Sequence, residues 1–308
     1  MSHIPASLPP RLVPGDRVRL VAPASTPRRE NVDRLTALLT SWGLVVEQGD
    51  HLFDQHGFLA VSDTDRLADL NDAFRDPDVR AVMTAAGGAG SYRIAAEVDF
   101  DAVRRDPKPL TGYSDITALH LAIWRGARVP GLHGGYVGDV PAEALRSALM
   151  SADPIVLERR PEDLSAGVCV PGRATGVLIG GNLGQLLYAV GAGLPSFDGA
   201  ILFFESFVGG GAAMLDRVFF QLIESGALDG VRGVAIGNLT ANPDAVRDRE
   251  PAGWTVVEML QERLGALGVP VLGGLPLGHD PDPLTVPLGT MATLDAPAGV
   301  LTVQAGVC

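Results

Sequence analysis

Lys108-Pro109-Leu110-Thr111-Gly112-Tyr113-Ser114-Asp115-Ile116-Thr117-Ala118-Leu119-His120-Leu121 reads as a short strand, an abrupt turn at 112–114 and a helix. Pro107 and Pro109 bound the strand on its N-terminal side. Leu119, Leu121 and Ile123 give the helix an apolar face, and Gly126 is its expected stop. A serine at a strand-to-helix corner is lifted out of the backbone, with helix N–H groups beside it. That geometry suits a nucleophile, because the next residue's amide can steady an oxyanion. The familiar elbow has glycine two residues before and two after the serine. Gly112 fills the first place and Ile116 occupies the second, so the motif is half met. A Ser-Asp helix cap is the commoner arrangement, and the stretch taken alone favours it.

Working upstream, residues 17–22 read as a strand closed by Pro23. Ser25 or Thr26 is placed to cap a helix carrying Val32, Leu35, Leu39 and Trp42, with Gly43 as its stop. Leu44-Val45-Val46-Glu47 is a second strand, and Asp63 or Thr64 opens a helix with Leu67, Leu70 and Phe74 on one face. Residues 80–84 form a third strand, running into Gly87-Gly88-Ala89-Gly90 and a helix through Tyr92 and Ile94. Strands and helices alternating over short links predict an α/β fold with a parallel sheet covered on both faces. Such sheets bind ligands at the C-terminal strand ends, where both the glycine turn and Ser114 fall. A tight turn without a ligand is the commoner reason for such a glycine run. The dinucleotide fingerprint is excluded, because its spacing is absent and the turn follows the third strand.

Lys and Arg number 24 against 36 Asp and Glu, a net charge of −12, which argues against nucleic acid or an anionic membrane as a partner. Cys169 and Cys308 match no metal-ligand spacing and are too few for a disulfide framework. No apolar stretch reaches membrane-spanning length unbroken, and the first ten residues lack a basic head and apolar run. A soluble cytoplasmic protein without metal or cofactor is the expectation.

The pattern changes at about 151–173, where Pro154, Pro161 and Pro171 and clustered charges suggest a linker. The expected domains are 1–150 and 174–308. The second half carries short β-like runs at 176–179, 200–204, 233–236 and 300–303, with helices over 215–224 and 255–264, and reads as a smaller α+β domain. Glu205 ends an apolar run, where a carboxylate is costly unless paired, although an exposed strand-end Glu is the commoner case. His279 leaves a Gly- and Pro-rich apolar stretch, where a solvated loop histidine is the plain alternative. His3, His51, His56 and His120 have ordinary explanations; His133, after a strand at 129–132, is harder to set aside. Ser, Glu and His at three strand or loop ends would make a nucleophile, orienter and base.

Taken together, these pieces resemble the L,D-carboxypeptidase family of serine peptidases (S66 type), which includes murein tetrapeptide carboxypeptidases and microcin C self-immunity peptidases. The likeness runs through Val13-Pro14-Gly15-Asp16, Val21-Ala22-Pro23-Ala24-Ser25, Asp65-Arg66, Asp69-Leu70, Gly87-Gly88 and 112–119. It continues through Gly180-Gly181-Asn182-Leu183, Phe204-Glu205, Asp216-Arg217, Gln221-Leu222 and Gly278-His279, in the family's order. The resemblance implies Ser114 as nucleophile, Glu205 as acid and His279 as base, with the Gly88 and Asp115 amides as oxyanion hole. Asn182, in a glycine-rich turn, is a candidate substrate-binding residue, a plain turn asparagine being as common. The implied fold is a flavodoxin-like, class I amidotransferase-related first half and a swivelling β/β/α second half, with the site between them. The implied protein is a cytoplasmic homodimer needing no metal, active in peptidoglycan recycling.

This chain departs from the family at Ala86, where Arg usually precedes Gly-Gly, at Ala89, often aromatic, and at Gly135, where His-Gly-Pro is usual. The expected reaction is hydrolysis of an amide next to a terminal carboxylate, with murein tetrapeptide losing D-alanine as the leading substrate. Alternatives are a self-immunity hydrolase of peptidyl or aminoacyl nucleotides, a biosynthetic acyltransferase, and a non-catalytic module binding an anion or peptide.

Overall fold

The computed structural model describes residues 6–135, 142–208, 211–241, 253–280 and 282–308; His3 lies outside them. The chain forms two compact units. The first comprises residues 1–153, 285–290 and 305–308, and the second 154–284 and 291–304.

The first unit alternates β1 (Arg17–Val21), α1 (Arg29–Ser41), β2 (Val45–Gln48), α2 (Asp63–Arg75) and β3 (Val79–Thr84). It continues through α3 (Ser91–Ile94), α4 (Phe100–Arg105), β4 (Leu110–Gly112), α5 (Thr117–Ala127), β5 (Gly131–His133) and α6 (Glu143–Met150). Among the described residues its sheet runs β2-β1-β3-β4-β5, all parallel, as the strand and helix alternation predicts. Val286–Leu288, which is β12 in chain order, adds an antiparallel edge strand against β5. Pro287 is tolerated there because an edge strand leaves one side of its ladder unpaired. The core joins Val21, Val82 and Leu110 of the strands to Leu70, Phe74, Leu119 and Ile123 of the helices.

Two expected boundaries differ. Ser25 and Thr26 do not cap α1, whose cap residue Arg28 makes no side-chain cap bond. Their hydroxyls donate instead to the carbonyls of Phe58 (2.9 Å) and Asp54 (2.7 Å), tying down the loop that follows β2. Gly126 does not stop α5. A Cβ there would fall 2.6 Å from Phe100 Cγ, so the glycine admits a ring, and the helix ends one residue later with Arg128 left-handed at φ 57°.

The second unit opens inside the stretch expected to be a linker. Ile155–Glu158 (β6) and Cys169–Val170 (β7) are strands of its sheet. Only Leu157 of β6 is buried, and four residues between prolines are too few for a period to be read. Then come β8 (Arg173–Asn182), α7 (Leu183–Ala189), β9 (Ala200–Val208), α8 (Gly211–Glu224) and β10 (Gly233–Ala241). The rest is α9 (Val256–Gly265), β11 (Val271–Leu272), β13 (Met291–Asp295) and β14 (Val300–Val303). The order is β6-β14-β13-β8-β9-β10-β11-β7, with β8 to β11 parallel and the rest antiparallel. A Thr255–Glu258 capping box starts α9. Among the described residues no helix is long and apolar enough to cross a membrane.

Candidate active site

In the first unit, β4 delivers the chain to Gly112, and two residues later Ser114 sits at φ 62°. A non-glycine residue in that region carries backbone strain, roughly 1–2 kcal/mol. The cap reading fails here. Tyr113 and Ile116 hold the positions before the short turn and before α5, and neither makes a side-chain cap bond. The Asp115 carboxylate is buried and accepts from the Ser91 amide at 2.8 Å, while the Ser91 hydroxyl donates to the Asp115 carbonyl at 2.5 Å. The missing second glycine also has a cause: Ile116 turns wholly into the core, and a Cβ on Gly112 would meet its Cγ2 at 2.8 Å.

The turn after β3 presses on the serine, since a Cβ on Gly87 would lie 3.2 Å from Ser114 Cβ. Gly88 is held at φ 105°, and a Cβ there would fall 2.7 Å from that of Ser25. Only glycine fits both the angle and the space. Ser25 Oγ accepts from the Ala89 amide at 3.2 Å, and the Ser25 amide donates to the Gly87 carbonyl at 3.2 Å. Strand order reverses between β1 and β3, so these loops lie at a topological switch point, the usual ligand crevice of an open α/β sheet.

Sequence reasoning passed over His120. It is buried behind the elbow, and its Nε2 bonds the Gly112 carbonyl at 2.9 Å, which makes Nε2 the protonated nitrogen. Burial pushes its pKa down to about 4, so it is a neutral prop near pH 7. The available signal was its place one turn from Thr117 and Trp124, both on the buried face of α5. The fully buried His133 ring lies 6.4 Å from those of both His120 and Tyr113.

In the second unit, Glu205 is not an exposed strand-end residue. The strand β9 runs three residues beyond it, and the carboxylate is fully buried. Three features accommodate it. Its Oε2 meets His279 Nδ1 at 2.7 Å, and its Oε1 accepts from Asn182 Nδ2 at 3.1 Å. The ladder to β10 slips between Ile236 and Leu239, so Gly237 and Asn238 together face Glu205 as a bulge. Gly278 stands at φ 88°, where a Cβ would fall 2.6 Å from Glu205 Cβ and 2.7 Å from its carboxyl carbon.

Asn182 is both brace and cap, for its Oδ1 accepts from the Gly184 amide at 3.1 Å at the start of α7. The hydrogen bond that Nδ1 donates to Glu205 raises the His279 pKa above its ordinary value, and burial opposes that rise. An imidazole so poised suits general base work near neutrality. The next residue, Asp280, is anchored by Arg160 at 2.8 Å, an ion pair from the presumed linker that sequence reasoning also missed. Thus Ser114, Gly88 and Asp115 belong to the first unit, and Glu205, His279 and Asn182 to the second.

Residues 18–134 match the LD-carboxypeptidase N-terminal domain and residues 175–294 the LD-carboxypeptidase C-terminal domain. A Streptomyces coelicolor protein named as a carboxypeptidase is 37% identical over 309 residues, covering 96% of each chain. A Bacillus subtilis protein named as a murein peptide carboxypeptidase is 33% identical, covering 97% of this chain and 95% of its own. The crystal structure of an MccF-like protein from Bacillus anthracis superposes with a TM-score of 0.85 at 26% identity, over 97% of this chain and 100% of that one. The chain belongs to the LD-carboxypeptidase family and is, with it, a serine-type carboxypeptidase.

Proposed function

We propose that the protein hydrolyses the amide next to the terminal carboxylate of murein tetrapeptide, releasing D-alanine. In this reading His279 takes the hydroxyl proton of Ser114, and Oγ attacks the carbonyl carbon. The Gly88 and Asp115 amides hold the resulting oxyanion, at about 3 kcal/mol per donor. Collapse breaks the C–N bond, and His279 passes its proton to the leaving amine nitrogen. Water, giving a proton to His279, then attacks the acyl ester; the C–Oγ bond breaks and the proton returns to Ser114. Glu205 stays ionised and fixes the imidazole through Nδ1.

The observation that carries this reading is the strained backbone of Ser114 at φ 62°, kept at a strand-to-helix corner where the side chain caps nothing. The name of the Bacillus subtilis relative points to murein peptides as the substrate class. The sheet order β2-β1-β3-β4-β5 supports the flavodoxin-like description of the first half. We further place the protein in the cytoplasm as a homodimer with a swivelling second half, on the family resemblance.

Incubation of the purified protein with murein tetrapeptide should release D-alanine, and Ser114→Ala should release none. Release at the wild-type rate from that variant would refute the assignment. A peptidyl or aminoacyl nucleotide substrate is favoured by Ala86 and Ala89 and by the likeness to the MccF-like protein. It would replace murein if a folded sample cleaves such nucleotides and leaves tetrapeptide intact.

A further inference from the structure

The elbow shares a cavity of about 290 Å³ with the start of α1, wholly within the first unit. One wall is the backbone leading to the nucleophile, Gly112 and Tyr113; another is the turn that presses on Ser114, including Ala86 and Gly87. The third brings in Arg28, which follows β1. Residues after β1 and after β3 therefore face each other across the switch point, where ligands of such sheets are held. The volume lies at the lower end of small-molecule sites, which begin at about 300 Å³.

Chemistry on this wall is uneven. The hydroxyl of Thr26 already donates to the Asp54 carbonyl at 2.7 Å, that of Thr84 to the Thr111 carbonyl at 2.9 Å, and that of Thr111 to Met83 Sδ at 3.1 Å. Arg28 is the one charged residue lining the cavity among those described; its carbonyl accepts from the Asn31 and Val32 amides, and its guanidinium forms no hydrogen bond or ion pair among the described residues. Its neighbour Arg29, by contrast, stacks 4.0 Å over the Phe53 ring. In a chain of net charge −12, a guanidinium with no internal carboxylate beside a nucleophile elbow is a local anion attractor. A guanidinium can also read a carboxylate through two parallel hydrogen bonds.

We propose that this cavity receives the amino acid that the reaction releases, and that Arg28 pairs with that residue's terminal carboxylate. Ala85, Ala86 and Gly87 carry nothing larger than a methyl and so leave room there for the released residue. Arg28 is on this account a specificity-determining residue that positions the scissile amide against Ser114. The proposal rests on the reading of Ser114 as nucleophile.

The test compares murein tetrapeptide with the same peptide ending in a carboxamide, for the wild type, Arg28→Met and Arg28→Lys. The wild type should prefer the free acid by at least about tenfold in kcat/KM, in line with loss of a charged hydrogen-bond pair. Arg28→Met should lose that preference by slowing cleavage of the acid more than that of the carboxamide, and Arg28→Lys should restore part of it. An unchanged acid-to-amide ratio in Arg28→Met overturns the proposal. Labelling of Ser114 by a serine-directed phosphonate separates the two layers. Labelling and turnover with no effect of Arg28→Met reject only the subsite, whereas no labelling and no turnover in the wild type reject the nucleophile and the subsite with it. Arg28 is exposed and makes no cap bond, so its variants should fold.

Discussion

The two units prepare their reactive groups by opposite means. In the first, the work is done by the backbone: Ser114 at φ 62°, Gly88 at φ 105°, and a neutral His120 bonded to the Gly112 carbonyl. In the second it is done by charge. A fully buried Glu205 is satisfied by Asn182 and His279, and a bulge opens room for it. Strain is indifferent to pH but sensitive to the size of one side chain. A buried ion pair is the reverse. On the proposed roles, Ser114 should therefore fail under steric changes, and His279 under changes of charge and proton concentration.

The largest effect belongs to the first unit. Ser114→Ala should lower kcat by about 10⁴–10⁶-fold, the range seen when a catalytic serine is removed. Ser114→Gly should be as inactive, yet more stable than wild type by about 1 kcal/mol, because glycine adopts a positive φ without penalty. Denaturant midpoints of the three proteins decide this. A glycine variant less stable than the alanine variant would mean that the elbow stores no strain.

Next in size is Glu205→Gln, with a fall in kcat of about 10⁴-fold if the carboxylate sets tautomer and charge. The pH profile separates this from simple damage. If His279 is the base it must be neutral, and Glu205 raises its pKa, so the wild-type acid limb in kcat/KM should lie above the ordinary histidine value of about 6.5. Removing the charge should move that limb to lower pH. Stability follows the same sign. Folding raises the His279 pKa, so the pair's contribution is complete below about pH 6.5 and is lost as pH rises through the raised value. The gap in melting temperature between wild type and Glu205→Gln should therefore narrow toward alkaline pH. A gap that widens would contradict the pairing.

Gly278→Ala attacks the second unit by the means that should matter in the first. The added methyl meets the Glu205 side chain and also sits at φ 88°. Gly268→Ala is the control, since φ there is 67° with nothing within 4 Å of the new atom. Both should lose about 1–2 kcal/mol to the backbone angle. Gly278→Ala should lose about 1–3 kcal/mol more from overpacking and most of its activity. Equal losses at the two sites would show that Gly278 serves its turn and not the carboxylate.

Alternation of strand and helix and the half-met Gly-x-Ser motif made the parallel sheet and the elbow readable in the sequence, because both are local patterns. The motif could not say whether Ser114 caps a helix or stands clear of it. That depends on Asp115 bonding the Ser91 amide, a contact spanning 24 residues. Glu205 looked like a strand end because the apolar run stops at Phe204, whereas the strand continues. Its burial depends on Asn182 and His279, far away in sequence. The edges escaped for another reason. Short strands such as Ile155–Glu158 and Val286–Leu288 are too brief, at four and three residues, for an alternating pattern to stand out between prolines and charges. Arg160 was lost with them, since nothing near it in sequence announces the ion pair with Asp280.

The smallest expected effect tests how Asn182 divides its two bonds. Its Oδ1 caps α7 and its Nδ2 braces Glu205. Asn182→Ala removes both and should cost about 1 kcal/mol from the cap alone. Asn182→Ser keeps an oxygen for the Gly184 amide and drops the donor to Glu205. If the residue acts through Glu205 and not on the peptide, serine should recover most of the stability while kcat stays about tenfold down and KM is unchanged. A variant whose KM rises with kcat intact would return Asn182 to the substrate-binding role that its glycine-rich turn first suggested. The brace would then belong to Glu205's burial and not to its chemistry.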